Sequence, residues 1–99
     1  MDKAEAIKLA KDYKSLVSGY LEIKEMYLYG SYAKGNHHKE SDIDIAIVVK
    51  KSSEDYFSET PLLWKLRRQI SAFIEPILLD ESDKNSPLYK QVIRHGISI

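Results

Sequence analysis

Residues 42–49, Asp-Ile-Asp-Ile-Ala-Ile-Val-Val, place a demand on this chain that few structures meet. Ile43, Ile45 and Ile47 alternate with Asp42, Asp44 and Ala46. Strand side chains point alternately to opposite faces, so a strand here buries the isoleucines and projects Asp42 and Asp44 together on the other side. Two neighbouring carboxylates repel each other unless a cation sits between them, and hard oxygen ligands of this kind suit Mg²⁺. Ten residues separate Asp42 from Gly30-Ser31, which itself follows the strand-like run Met26-Tyr27-Leu28-Tyr29. The pattern is a strand, a tight turn, a polar loop and a second strand opening with two acids.

The segments Leu28-Tyr29-Gly30-Ser31-Tyr32-Ala33-Lys34-Gly35 and Ser41-Asp42-Ile43-Asp44-Ile45-Ala46 closely resemble the nucleotidyltransferase superfamily typified by DNA polymerase beta. The Gly-Ser-x10-Asp-x-Asp spacing and the length look more narrowly like the minimal nucleotidyltransferases, many of which are antitoxins paired with a helical HEPN toxin. The signature covers residues 28–47, and the order of elements on either side agrees with it.

Ninety-nine residues suffice for one small domain over 1–99 with a modest core. Lysine plus arginine and aspartate plus glutamate number 15 each, so net charge gives no reason to expect direct nucleic-acid binding. The absence of cysteine excludes disulfides and thiolate metal sites. The charged start Met-Asp-Lys-Ala-Glu is no signal peptide and no apolar run is long enough to span a membrane, so a cytoplasmic protein is expected.

Helical spacing at Ile7, Ala10, Tyr13, Leu16 or Val17, and Tyr20 predicts a helix over 3–18 that ends at Gly19. Strands are expected at about 24–29 and 42–49, with the polar stretch 35–41 as a loop and Lys50-Lys51-Ser52-Ser53 closing the second strand. Residues 54–59 read equally as loop or as a first helical turn. Thr60-Pro61 reads as an N-cap and first helical residue, opening a helix to about Ala72 that buries Leu62, Leu63, Leu66, Ile70 and Phe73. A third strand follows at 74–79; Pro76 cannot donate to a ladder, which puts this strand at an edge or a bulge. A last helix runs over about 87–94 and stops at Gly96. Helices alternating with strands imply an α/β (α+β) fold, a small mixed three-stranded sheet with helices packed against it, as in the nucleotidyltransferase fold.

Nucleotidyl transfer requires charge and geometry rather than an obligatory covalent bond to the protein. Two Mg²⁺ ions can stabilise the attacking and leaving oxygens together, and such a pair needs about three carboxylates on one surface. Asp42 and Asp44 supply two. Glu75 is the candidate third, in phase with Ile77 and Leu79, and the resemblance places an acid on this strand, commonly Asp. Asp80 is its rival at the strand's far end. Gly30 admits close approach of a phosphate to the backbone, and Ser31 offers a hydroxyl and caps the short turn that follows. The resemblance implies that this element grips the triphosphate of ATP and that Lys34 adds a positive charge. Tyr32 stands where family members often carry Arg. His37 and His38 read as solvated loop residues, Lys65, Arg67 and Arg68 as the wet face of a helix, and Trp64 and the tyrosines as core or interface anchors. Tyr27, Tyr29 and Tyr56 are left unassigned.

A transferase binds two substrates, and about twenty residues after the third strand are too few for a second lobe. Another protein or a second copy of this chain would then present the acceptor. By resemblance, the implied reaction moves AMP from ATP to a hydroxyl, a tyrosine, of a HEPN toxin, with the chain acting as antitoxin. Two alternatives stand beside it. One is a homo-oligomeric enzyme for a small, aminoglycoside-type acceptor; the other is an antitoxin that acts by binding alone.

Overall fold

A computed structural model describes residues 1–50 and 56–99. The chain forms helix α1 (Lys3–Ser18), strand β1 (Glu25–Tyr29), the short helix α2 (Ser31–Lys34), strand β2 (Ile43–Val49), helix α3 (Tyr56–Leu66), strand β3 (Ile74–Asp80), helix α4 (Pro87–His95) and strand β4 (Ile97–Ser98). The expected turn at Lys51-Ser52-Ser53, and the first two of the ambiguous residues 54–59, fall outside the described residues.

The sheet is mixed, as expected, but has four strands in the order β3-β2-β1-β4. β1 runs antiparallel to both β2 and β4, and β2 runs parallel to β3. The unforeseen β4 has two residues, too short for any periodicity to show, and exists because α4 returns the chain to the free edge of β1. β3 is the opposite edge, so Pro76 sits where a missing N–H breaks no central ladder.

β2 lies inside the sheet and is buried on both faces. On one face Ile43, Ile45 and Ile47 pack with Met26 and Leu28 against Ala6, Ala10, Tyr13 and Val17 of α1 and Leu63 and Leu66 of α3. On the other, Ala46, Val48 and Leu79 meet Tyr89 and Val92 of α4. This second cover is short: it lies over the C-terminal half of β2 and leaves the half that begins with the acids open.

Local sequence explains most boundaries. Asp2 caps α1 by accepting from the Glu5 N–H, and Ser86 caps α4 by accepting from Tyr89 N–H with Pro87 first in the helix. Val17 rather than Leu16 completes the buried stripe of α1, and Tyr20 is exposed. Helix α3 departs from expectation. It starts at Tyr56 and carries Pro61 within it, giving up a backbone hydrogen bond. It also stops at Leu66, where the chain tightens into a 3₁₀ turn over Arg67–Gln69. That turn swings Phe73 out to 43% exposure instead of into the core, and Ile70 is only partly buried. Among the described residues no helix is long and apolar enough to cross a membrane.

Tyr13 ties α1 to α3 inside this core: its buried hydroxyl donates to the Leu63 carbonyl at 2.8 Å. Tyr13→Phe keeps the ring and removes this donor, and is expected to cost about 1 kcal/mol. The check is a lower urea midpoint at unchanged slope.

Candidate active site

The site is built where β1 ends and β2 begins. Gly30 closes β1 with φ 73° and ψ −148°, a conformation that L side chains avoid. Space adds a second constraint: a Cβ on Gly30 would collide with Oδ2 of Asp44 and lie 3.1 Å from its Cγ. The glycine thus seats the Asp44 carboxyl directly against the turn. Ser31 does not cap α2; Gly30 holds the N-cap position and no side chain caps the turn. Ser31 is the first helical residue and lines the cleft instead.

Loop 35–42 is held by Ser41, which is buried. Its hydroxyl accepts from the His38 N–H at 2.8 Å, and its own N–H donates to the His38 carbonyl at 3.0 Å. This clasp fixes the approach to Asp42. Between the loop and the start of β2 lies a polar cleft of about 520 Å³, lined by Ser31, Asn36, His38, Glu40, Ser41, Asp42 and Asp44. A larger hollow of about 640 Å³ lies at the other end of β2, beside Ile23, Val49 and Lys50. It holds none of the three clustered acids, so chemistry rather than size selects the cleft.

Strand register completes the cluster. Tyr29, Asp44 and Glu75 stand side by side across β1, β2 and β3, on the same face as Asp42. Burial pushes the Asp44 carboxyl up to about 6, and the charges of Glu75 and Asp42 push in the same direction. The Glu75 carboxyl is also raised, by burial first, then by the Asp42 charge and a hydrogen bond with Asp42, while Arg67 opposes the rise. The Tyr29 phenol is pushed up to about 12 by burial and by Asp44 and Glu75. Asp80 takes no part in this cluster: it lies beside Val49 at the far end of β3 and accepts from Ser82 in the next turn.

Negative charge is concentrated on this face. Among the described residues no three acids, histidines or cysteines close into a cage. Mg²⁺ does not need one, because it keeps several waters and binds through one or two carboxylates together with substrate phosphates. All-oxygen donors and an excess of negative charge beside the cleft fit such an ion.

Other residues are placed differently from expectation. Lys34 lies across Gly30 from the acid cleft, in a small hollow with Tyr29, Leu88, Gln91, Val92 and His95. Tyr32 is fully buried, and its ring stacks on His37 with centroids 4.4 Å apart. It faces the core rather than a nucleotide, and His37, whose Nδ1 is buried, is not a freely solvated residue. Arg67 is no wet-face residue either. Its Nη1 donates to the carbonyls of Ala72 and, at 3.2 Å, Ile74, and its guanidinium lies 4.6 Å over the half-exposed ring of Trp64.

Tyr29 and Arg67 are the neighbours of the acids that sequence reasoning missed. Arg67 follows a helical period that argues for solvent, and only the 3₁₀ turn redirects it. The register opposing Tyr29 to Asp44 depends on how loop 35–42 folds; the one signal for Tyr29 is its place immediately before Gly30.

This architecture is that of a nucleotidyltransferase. The family model described as "Polymerase beta, Nucleotidyltransferase" matches residues 11–99, and the chain belongs to that family. It is 35% identical over 99 residues to a candidate protein adenylyltransferase of Methanocaldococcus jannaschii, across 97% of this chain and 96% of that protein. In structure it is similar to a candidate nucleotidyltransferase from Sulfolobus solfataricus, with TM-score 0.70 and 27% identity over 97% of this chain and 80% of that one. The fold is shared with a toxin–antitoxin structure containing AMP-PNP, at TM-score 0.54 and 24% identity over 99% of this chain and 72% of that one.

The raised Asp44 carboxyl gives stability a defined pH dependence. Between about 4 and about 6 the folded protein retains a proton that the unfolded chain, with an ordinary value of 3.8, has released. Stability from this group therefore falls as pH rises through that window. Without Mg²⁺, Asp44→Asn is expected to be more stable than wild type at pH 7, by about 1 kcal/mol once solvent screening of this partly exposed group is allowed for. The difference should vanish near pH 4 in parallel urea titrations.

Proposed function

We propose that this chain transfers AMP from ATP to a hydroxyl of a partner protein, with Asp42, Asp44 and Glu75 holding the Mg²⁺ ions. The observation that carries the reading is the row of carboxylates on β2 and β3, with Gly30-Ser31 turned against Asp44. Bound there, the metal would supply charge to stabilise the attacking and leaving oxygens. Gly30 and Ser31 form the phosphate cradle. Lys34 stands beside them as a flexible cation rather than a fixed ligand. The acceptor oxygen attacks the α-phosphorus, the bond to the β-phosphate breaks, pyrophosphate leaves, and the hydroxyl proton passes to the carboxylate cluster.

The protein acceptor is supported by the relative of nearly equal length assigned to protein adenylyl transfer. A toxin of the HEPN class, modified on a tyrosine and so silenced, is the partner we favour. The toxin–antitoxin structure of the same fold motivates this choice.

The test incubates this protein with ATP, Mg²⁺ and a small all-helical HEPN ribonuclease co-expressed with it, and reads the intact mass of the ribonuclease. Gain of one or more AMP units with wild type is expected. Asp42→Asn and Asp44→Asn should each lower the rate by more than the roughly 10–100-fold that loss of an outer partner costs at a metal site. A stable complex with no mass gain would make the chain a binding antitoxin and sink the transfer reading. A second series separates Glu75 from a structural role. Glu75→Asp keeps an oxygen ligand and should retain part of the activity with a weakened response to Mg²⁺, whereas Glu75→Gln should lose it. Equal activity in the two variants would remove Glu75 from the metal site.

A further inference from the structure

Of the three clustered acids, Glu75 is the one the sheet holds least firmly. It is the second residue of β3, and β3 is an edge strand. An edge strand is hydrogen-bonded on one side only, and the ends of an element open more easily than its middle. Burial and the Asp42 charge also work against the ionised Glu75 carboxyl. A further tie at the start of β3 would offset both weaknesses.

Arg67 supplies that tie from both its backbone and its side chain. Its carbonyl accepts from the amides of Ile70, at 3.0 Å, and Ser71, at 2.8 Å. Its Nη1 reaches across the same bend to the carbonyls of Ala72 and, at 3.2 Å, Ile74. The Phe73 carbonyl accepts from the Ile43 amide at 2.8 Å and so points into the sheet. Carbonyls alternate in direction along a strand, so that of Ile74 points to the open edge, where no strand pairs with it. Arg67 is its partner there. The Trp64 ring, 4.6 Å from the guanidinium, steadies the head, and Nε is buried. Lysine could bring the charge, but the planar, stacking fork is particular to arginine. That charge also draws the Glu75 carboxyl down.

We propose that Arg67 is the positioning residue of the third carboxylate: by clamping the bend after α3 to the first residue of β3, it holds Glu75 beside Asp44 for a divalent cation. The inference rests on Glu75 as a metal ligand and extends the site to a residue that touches neither metal nor substrate. One side chain thus fixes where the edge strand begins and eases the repulsion among the acids.

The experiment measures Mg²⁺ binding by calorimetry in the presence of saturating α,β-methylene-ATP, whose α–β link resists cleavage. It compares wild type, Arg67→Gln, Glu75→Gln and the double variant, with a urea titration of each. Arg67→Gln should weaken Mg²⁺ binding by about 10–100-fold, the cost of losing an outer partner at a metal site. In the Glu75→Gln background the same change should matter by less than about twofold, because its effect passes through Glu75. Equal weakening in both backgrounds would make Arg67 a general support of the fold and overturn the proposal. Wild-type Mg²⁺ affinity in Arg67→Gln, beside a weakened Glu75→Gln, would overturn it too while leaving the transfer reading intact. Wild-type affinity in Glu75→Gln would remove Glu75 from the metal site and this role of Arg67 with it. Arg67→Lys keeps the cation without the fork, so its affinity should fall between those of wild type and Arg67→Gln. It carries the same comparison should Arg67→Gln fail to fold.

Discussion

The parallel pairing of β2 with β3 sets both the core and the chemistry. With Ile43 opposite Ile74 and Asp44 opposite Glu75, one register sends isoleucines to the α1–α3 face and acids to the other. A slip of one residue would turn the isoleucines to the open face and the acids into the core. The hydrophobic demand of Ile43, Ile45 and Ile47, all fully buried, is therefore what keeps two like-charged strand starts together. Core packing supplies the free energy that the acid cluster opposes. Arg67 lightens the opposition: it donates to the Ile74 carbonyl, immediately before Glu75, and its charge draws the Glu75 carboxyl down.

That opposition has a chemical use. A carboxyl raised to about 6 by burial and neighbouring acids is a group whose ionised form lacks a partner in the metal-free protein. A divalent cation bound there would reverse the balance, since the burial and the neighbouring charges that raise Asp44 strengthen its attraction to positive charge. Asp42 is exposed, Asp44 is seated against Gly30, and Glu75 stands beside Asp44 on an edge strand, so the acids come from different elements.

What the sequence revealed, and what it hid, follows from the range of each interaction. Alternation over 42–49, the cap at Ser86 with Pro87, and the edge placement of Pro76 are local and were legible. So was the shared face of Asp42, Asp44 and Glu75, because β2 and β3 each carry a clear inside-outside pattern. The start of α3 was not, since Thr60-Pro61 satisfies every local rule for a helix start while the helix already runs through it. Arg67, Tyr32 and Lys34 depended on the direction of short turns. One 3₁₀ turn brings a supposedly wet arginine to Glu75; one four-residue helix buries Tyr32 and carries Lys34 to the far side of Gly30. β4 was invisible for a plainer reason, as two residues hold no pattern.

Helix α4 links these observations to the shape of the site. Val92 and Tyr89 bury Ala46 and Val48, so the sheet's second face is dry over the C-terminal half of β2 and wet over the half with the acids. Gly96 lets the helix end close on β1: its amide donates to the Val92 carbonyl at 2.7 Å, and a Cβ there would stand 3.3 Å from both the Leu28 carbonyl and the Tyr27 side chain. This close approach brings Leu88, Gln91 and His95 beside Tyr29 and Gly30 and creates the small hollow. The boundary between covered and open sheet thus runs through the Gly30 turn.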